Sequence, residues 1–143
     1  MVSKIKLVYI MGAFTGPDAW TIAENVRAAE RVGLEVARAG HMPVIPHANT
    51  HLFHGVSEVS DELWYEGTLE LMRRCDAAVL VPGWQNSKGT KKEIKEAFLL
   101  GLPIYESRVG GRPLHAAFFD EWGVTVEGQD HENNRLGISA RVG

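Results

Sequence analysis

Short apolar runs alternate with longer amphipathic segments along this chain, and that alternation constrains its fold more than any other feature. Residues 5–11 are β-branched and almost wholly apolar, the pattern of a central parallel strand. A helical segment follows to about Gly40, opened by Pro17 and Asp18, with Trp20, Ile22, Val26, Ala29, Val36 and Ala37 at helical spacing. Residues 41–46 form a second strand. A helix starting at Ser60 or Asp61 runs to Cys75, with Leu63, Trp64, Leu69, Leu71 and Met72 as its apolar candidates. Residues 76–81 make a third strand, Ile94, Ala97, Phe98 and Leu100 a helical stripe, and residues 102–105 a fourth strand. Weaker signals suggest a helix at 113–122 and a fifth strand at 124–126. The expected fold is α/β, a single-domain, doubly wound, mostly parallel five-stranded sheet of the Rossmann or flavodoxin-like kind, over residues 1–128. A polar tail, 129–143, is expected to follow it.

In such sheets ligands bind outside the carboxyl ends of the strands. The loops at 9–15, 47–54 and 84–93 are therefore expected to meet. The third carries the strongest chemical signal: the apolar Val79-Leu80-Val81, a polar loop with Gly83 and Gly89, then a helix start at Ser87-Lys88-Gly89-Thr90-Lys91-Lys92-Glu93-Ile94. Glycines let a ligand approach the backbone, and a helix start offers unpaired N–H groups to an anion. With the helix starting near Thr90, Glu93 falls in its first turn and has two readings. Thr90-Lys91-Lys92-Glu93 fits a capping box, in which the two outer side chains cap each other's backbone amides. Lysines in a first turn oppose the helix dipole, however, and suit a nearby anionic ligand. On the second reading Glu93 is the catalytic carboxylate.

Composition narrows the partners. The net charge of −3 gives no global reason to expect a nucleic acid polymer or a membrane surface. A local cluster of Lys88, Lys91, Lys92 and Lys95 suits a small phosphorylated ligand. The one cysteine, Cys75, excludes an internal disulfide and fits a buried structural thiol in a reducing compartment. No apolar run approaches the ~20 residues that span a bilayer, and no signal-peptide pattern precedes Met11-Gly12-Ala13. Cytoplasmic residence is expected. His47, His51 and His54 lie close in sequence, but no cysteine or carboxylate run completes a metal motif, so no metal site is expected. That loop is read as substrate-shaping, with His47 and Asn49 as contacts, or as plain surface.

Three motifs resemble the nucleoside 2-deoxyribosyltransferases and the related nucleoside 5′-monophosphate N-glycosidases: Tyr9-Ile10-Met11-Gly12, Arg74-Cys75-Asp76-Ala77 and Ser87 through Ile94. Pro82-Gly83, Gly89-Thr90 and Glu93 are also similar to the signature of cytokinin-activating phosphoribohydrolases, with a longer loop here. The resemblance covers roughly residues 7–105. It implies cleavage or transfer at the N-glycosidic bond of a nucleoside or nucleotide, with Glu93 as nucleophile and Tyr9 beside the sugar. It further implies Gly12, Ser87, Gly89 and Thr90 as substrate contacts, Ser87 holding a 5′-phosphate, no cofactor, and a homodimer or larger homo-oligomer. Trp84 is expected to stack on a nucleobase or pack against a neighbouring subunit. One departure stands out. Relatives often carry an aspartate eight residues before the Asp76 position, and here that position is Thr68. Asp61 and Glu66 are the candidate substitutes; helix cap and solvated face are their structural alternatives. Asp76 itself reads as a strand-start residue. Thr68 keeps open a second function, a non-catalytic nucleotide-binding module of the same fold.

Overall fold

The computed structural model describes residues 4–53, 55–56 and 58–107. Within them the order is β1 (Leu7–Met11), α1 (Ala19–Arg38), β2 (Met42–Val44), α2 (Pro46–Thr50), α3 (Asp61–Arg73), β3 (Ala77–Leu80), α4 (Lys88–Leu99) and β4 (Ile104–Glu106). Single 3₁₀ turns cover His51–Phe53 and Trp84–Asn86. The sheet is fully parallel, in the order β2-β1-β3-β4. Four strands are described; the expected fifth strand at 124–126, the helix at 113–122 and the tail at 129–143 lie outside the described residues.

Alternation along each strand builds two cores. Val8 and Ile10 of β1 and Ala77 and Val79 of β3 pack on one face against Ala29, Val32 and Val36 of α1. Tyr9, Met11, Ala78 and Leu80 point to the other face, against Leu69 and Met72 of α3 and Ile94 and Ala97 of α4. The helices thus cover both faces, and the change of face falls between β1 and β3. That junction is the topological switch point at which this architecture opens a crevice.

Helix boundaries follow local chemistry. Asp18 caps α1 by accepting from Thr21 N at 2.8 Å and Thr21 Oγ1 at 2.7 Å. These bonds hold its carboxyl below the usual carboxylate range. Trp20 does not join the core as its spacing suggests. It is 74% exposed and donates through Nε1 to Glu24 at 2.9 Å, because the buried stripe runs instead through Val26, Ala29, Val32, Gly33 and Val36. Leu63 and Leu100 are likewise exposed, since neither faces the sheet. The loop after β2 is not wholly irregular: Pro46, whose fixed φ suits a first helical position, starts the short α2. Cys75 sits in the second core with its thiol donating to Leu71 O at 3.3 Å, and burial pushes it up to about 11. It is therefore an un-ionised, structural thiol.

Two contacts set the β1–β3 seam. Asp76 accepts from Leu7 N through Oδ2 at 2.8 Å, while its own N–H donates to Leu7 O at 2.8 Å. At the opposite end Gly12 lies so close to β3 that an added Cβ would sit 2.6 Å from Val81 Cβ. A Cβ cannot rotate away, so the backbones themselves would have to part. Gly12→Ala is expected to cost about 1–3 kcal/mol by this overpacking, read as a lower urea midpoint with an unchanged m-value.

Candidate active site

The loops after β1, β2 and β3 converge above the seam and enclose two cavities that share one wall. The larger, about 780 Å³, is lined by Tyr9, Gly12, Phe14, His47, Thr68 and Glu93 and by an aromatic side of Phe53, Trp64 and Tyr65. The smaller, about 340 Å³, lies against the start of α4, with Asn86, Ser87, Lys88, Gly89 and Thr90 on its wall. Gly12, Phe14, Thr15 and Glu93 line both.

Glu93 occupies this junction because α4 begins earlier than its sequence suggests. Ser87, not Thr90, is the N-cap: its Oγ accepts from Thr90 N at 3.2 Å and from Thr90 Oγ1 at 2.9 Å. Thr90 becomes the third helical residue and Glu93 the sixth, counting from Lys88. The capping box is therefore not formed, and the first-turn placement of Glu93 is corrected by one turn. Freed from capping, the Glu93 side chain turns towards the end of β1, where Tyr9 Oη donates to its Oε2 at 2.6 Å. Burial pushes Glu93 up to about 7, against the opposing pull of the Tyr9 hydrogen bond. Burial first, and the Glu93 charge second, push the Tyr9 phenol well above its ordinary range. At neutral pH the pair holds a neutral phenol donating to a carboxyl group that is poised between its two forms.

His47 is buried, at 5% exposure, and spends its Nε2 on Gly12 O at 2.9 Å. A carbonyl only accepts, so Nε2 carries the proton. Burial holds the ring below its ordinary pKa, in the neutral form. Phe14 packs edge-on against it, with ring centroids 5.9 Å apart. His47 thus braces the Gly12 turn and forms cavity wall. On the opposite wall Phe53 stacks on Trp64, with centroids 5.8 Å apart and planes 19° apart, while Lys92 Nζ lies 5.2 Å from the centre of the Tyr65 ring. Of the four-lysine cluster, Lys88 faces the smaller cavity.

Two expected substrate contacts lie elsewhere. Trp84 is 3% exposed inside the second core, so neither a nucleobase nor a neighbouring subunit reaches its ring; the left-handed turn at Gly83 (φ +88°) swings it inward. Asn49 is on the solvent side of α2 and lines neither cavity. Asp76 belongs to the seam, at the far end of the strands. The aromatic wall was not found by sequence reasoning, because Phe14 and Phe53 stand in loops and Trp64 passes for an apolar core position. The available signal was the spacing of positions 61, 64, 65 and 68, which share one helical face. Among the described residues no group of three His, Cys, Asp or Glu side chains is placed to hold a metal ion, and no helix is long and apolar enough to cross a membrane. His54 lies outside the described residues.

A family model described as a domain of unknown function, DUF7768, matches residues 6–107. The chain belongs to that family. Among solved structures it is similar to a 2-deoxyribosyltransferase from the psychrotolerant bacterium Bacillus psychrosaccharolyticus, at 20% identity and a TM-score of 0.53 over 93% of this chain and 97% of that one. At that identity the likeness establishes a shared fold, a parallel sheet flanked by helices. No curated protein matches the chain.

The raised pKa of Glu93 has a consequence for stability. Its folded value, about 7, lies above an ordinary glutamate's, so folding favours the protonated form and the favourable contribution is lost as pH rises towards and through 7. Glu93→Gln keeps an acceptor for Tyr9 and carries no charge. The variant should match the parent near pH 4, below an ordinary glutamate's range, and exceed it in stability at pH 8 by on the order of 1–3 kcal/mol, measured as melting temperature against pH.

Proposed function

We propose that this protein cleaves or transfers across the N-glycosidic bond of a nucleoside or nucleoside 5′-monophosphate, with Glu93 as nucleophile. One observation carries the reading: Glu93, held by the Tyr9 hydroxyl of the larger cavity, lies on the wall shared by an aromatic cavity and a polar one at a helix start. A nucleotide has the same division. Its planar base suits Phe14, Trp64 and Tyr65, its 5′-phosphate suits the N–H groups at the start of α4, and its anomeric carbon then falls at the junction, beside Glu93. With Ser87 Oγ already accepting two bonds from Thr90, the Ser87 proton is left to donate outward to a phosphate oxygen. The fold shared with a 2-deoxyribosyltransferase supports the same reaction class.

The chemistry follows from the geometry. An ionised Glu93 oxygen attacks the anomeric carbon as the C–N bond breaks, and the bond's electron pair leaves with the base, which takes a proton from solvent in the open cavity. The oxocarbenium-like charge that develops is stabilised by the adjacent carboxylate. Water, or a second base in a transferase, then attacks the glycosyl ester and releases Glu93. Tyr9 holds the carboxylate in line and favours its ionised form. No cofactor takes part in these steps. The exposed apolar residues Leu52, Phe53 and Val56 near the mouth support self-association of the chain.

Glu93→Gln is expected to abolish release of free base from a nucleoside and nucleotide panel, by ~10³-fold or more, while the protein stays folded; undiminished release would remove Glu93 from the mechanism. Binding of nucleotides without any turnover by the parent protein would favour the non-catalytic module that Thr68 suggests. The parent kcat/KM should rise with pH through an apparent value near 7, because the nucleophile must be ionised. Tyr9→Phe removes the donor that favours ionisation, so its rising limb should move to higher pH and its rate at pH 7 should fall ~10-fold or more.

A further inference from the structure

The inner face of α3 is one continuous stripe used in two ways. Leu69 and Met72, towards its C-terminus, pack on the sheet, whereas Asp61, Trp64, Tyr65 and Thr68 line the larger cavity. In a βαβ crossover the helix runs antiparallel to the strands, so its first turns overhang their carboxyl ends. Asp61 stands at the outer end of this overhang, and its carboxylate is uncommitted among the described residues. Ser60, not Asp61, is the N-cap, accepting from Leu63 N at 3.1 Å. Asp61 makes no hydrogen bond or ion pair among the described residues. Among the described residues Asp61 and Glu93 are the two acids on this cavity's wall, while Glu66 is exposed and lines neither cavity.

Its position decides what such a group does. Thr68 lies beside the Tyr9 phenol, at the reacting end of the cavity. Asp61 is two helical turns away, about 10 Å along the axis at 1.5 Å per residue, and helical side chains lean further towards the N-terminus. It is too far to protonate a glycosidic nitrogen bonded to the carbon over Glu93, so it does not replace the missing aspartate as an acid. A base extending from that carbon along the Trp64–Tyr65 wall instead presents its far edge to Asp61. Purines reach further than pyrimidines. The two oxygens of a carboxylate accept best from two N–H donors side by side, and the negative charge repels a carbonyl or a ring-nitrogen lone pair.

We propose that Asp61 is the specificity-determining residue of the larger cavity and selects a purine whose far edge carries adjacent ring N–H and amino donors, as guanine does. The inference rests on the N-glycosidic reading for the direction in which the base points. Guanine and hypoxanthine differ only by the amino group, so guanosine and inosine 5′-monophosphates, in the ribo and deoxy series, are the discriminating pair. The parent protein should favour the guanine nucleotide ~10-fold or more in kcat/KM, as expected for one charge-assisted hydrogen bond. Asp61→Asn should reduce that preference to ~3-fold or less through loss on guanine, with an unchanged melting temperature. Equal handling of the two by the parent, or an equal loss on both in Asp61→Asn, would overturn the proposal. Calorimetric binding of the same nucleotides to Glu93→Gln, with and without Asp61→Asn, separates the two claims. If no base is released from any nucleotide, the N-glycosidic reading fails; a guanine preference in Kd that Asp61→Asn removes still upholds the assignment, and one that is absent or insensitive to Asp61→Asn defeats it.

Discussion

The pairing of β1 with β3 is the constraint on which the rest of the structure depends. Asp76 clasps the start of the pair and the close approach of Gly12 to Val81 its end. Between them the ladder from Val8–Ala77 to Met11–Leu80 holds two strands with no exposed edge. Because β2 and β4 flank this pair, α1 covers one face of the sheet and α3 and α4 the other. The crevice opens where the connections part. Tyr9 stands in β1 at that point, with its ring in the second core and its hydroxyl at the cavity floor. A rigid, doubly buried strand thus supplies one half of the candidate catalytic pair, and the second turn of a helix the other.

Burial at this junction tunes both partners. The environment that raises Glu93 also keeps Tyr9 protonated, so the phenol acts only as a donor and stabilises the carboxylate it touches. The arrangement is costly to the fold above neutral pH, since it holds a charge away from bulk water. Such a cost is common where reactivity requires a group out of its ordinary range. His47 contributes differently. Neutral and buried, it braces the Gly12 carbonyl and thereby shapes the turn that borders both cavities.

Helix starts carry much of the division of labour. The shift of the α4 N-cap from Thr90 to Ser87 moves Glu93 from a terminal position, where its oxygens would face backbone amides, to one where they face Tyr9. The N-cap of α3 at Ser60 likewise leaves Asp61 free. In both helices a serine takes the capping role and a neighbouring carboxylate is released into a cavity.

Much was legible in the sequence alone. The short apolar runs of β1, β2, β3 and β4 and the 3.6-residue periodicity of α1, α3 and α4 are local, and they suffice for a parallel α/β sheet with its loops gathered at the carboxyl ends. Glu93 stood out from its place at a glycine-containing helix start, and motif resemblance added its expected role and Tyr9. Tertiary structure decided the remainder, because the relevant distances cross the chain. Trp20 and Trp84 are both large and apolar, yet one is solvated and the other buried, according to which helical face or turn meets the sheet. Thr90 and Ser87 are both able caps, and the turn after Gly83 selects Ser87. Local spacing shows that Asp61, Trp64, Tyr65 and Thr68 share a face; only the overhang of α3 beyond the strand ends makes that face a cavity wall instead of core.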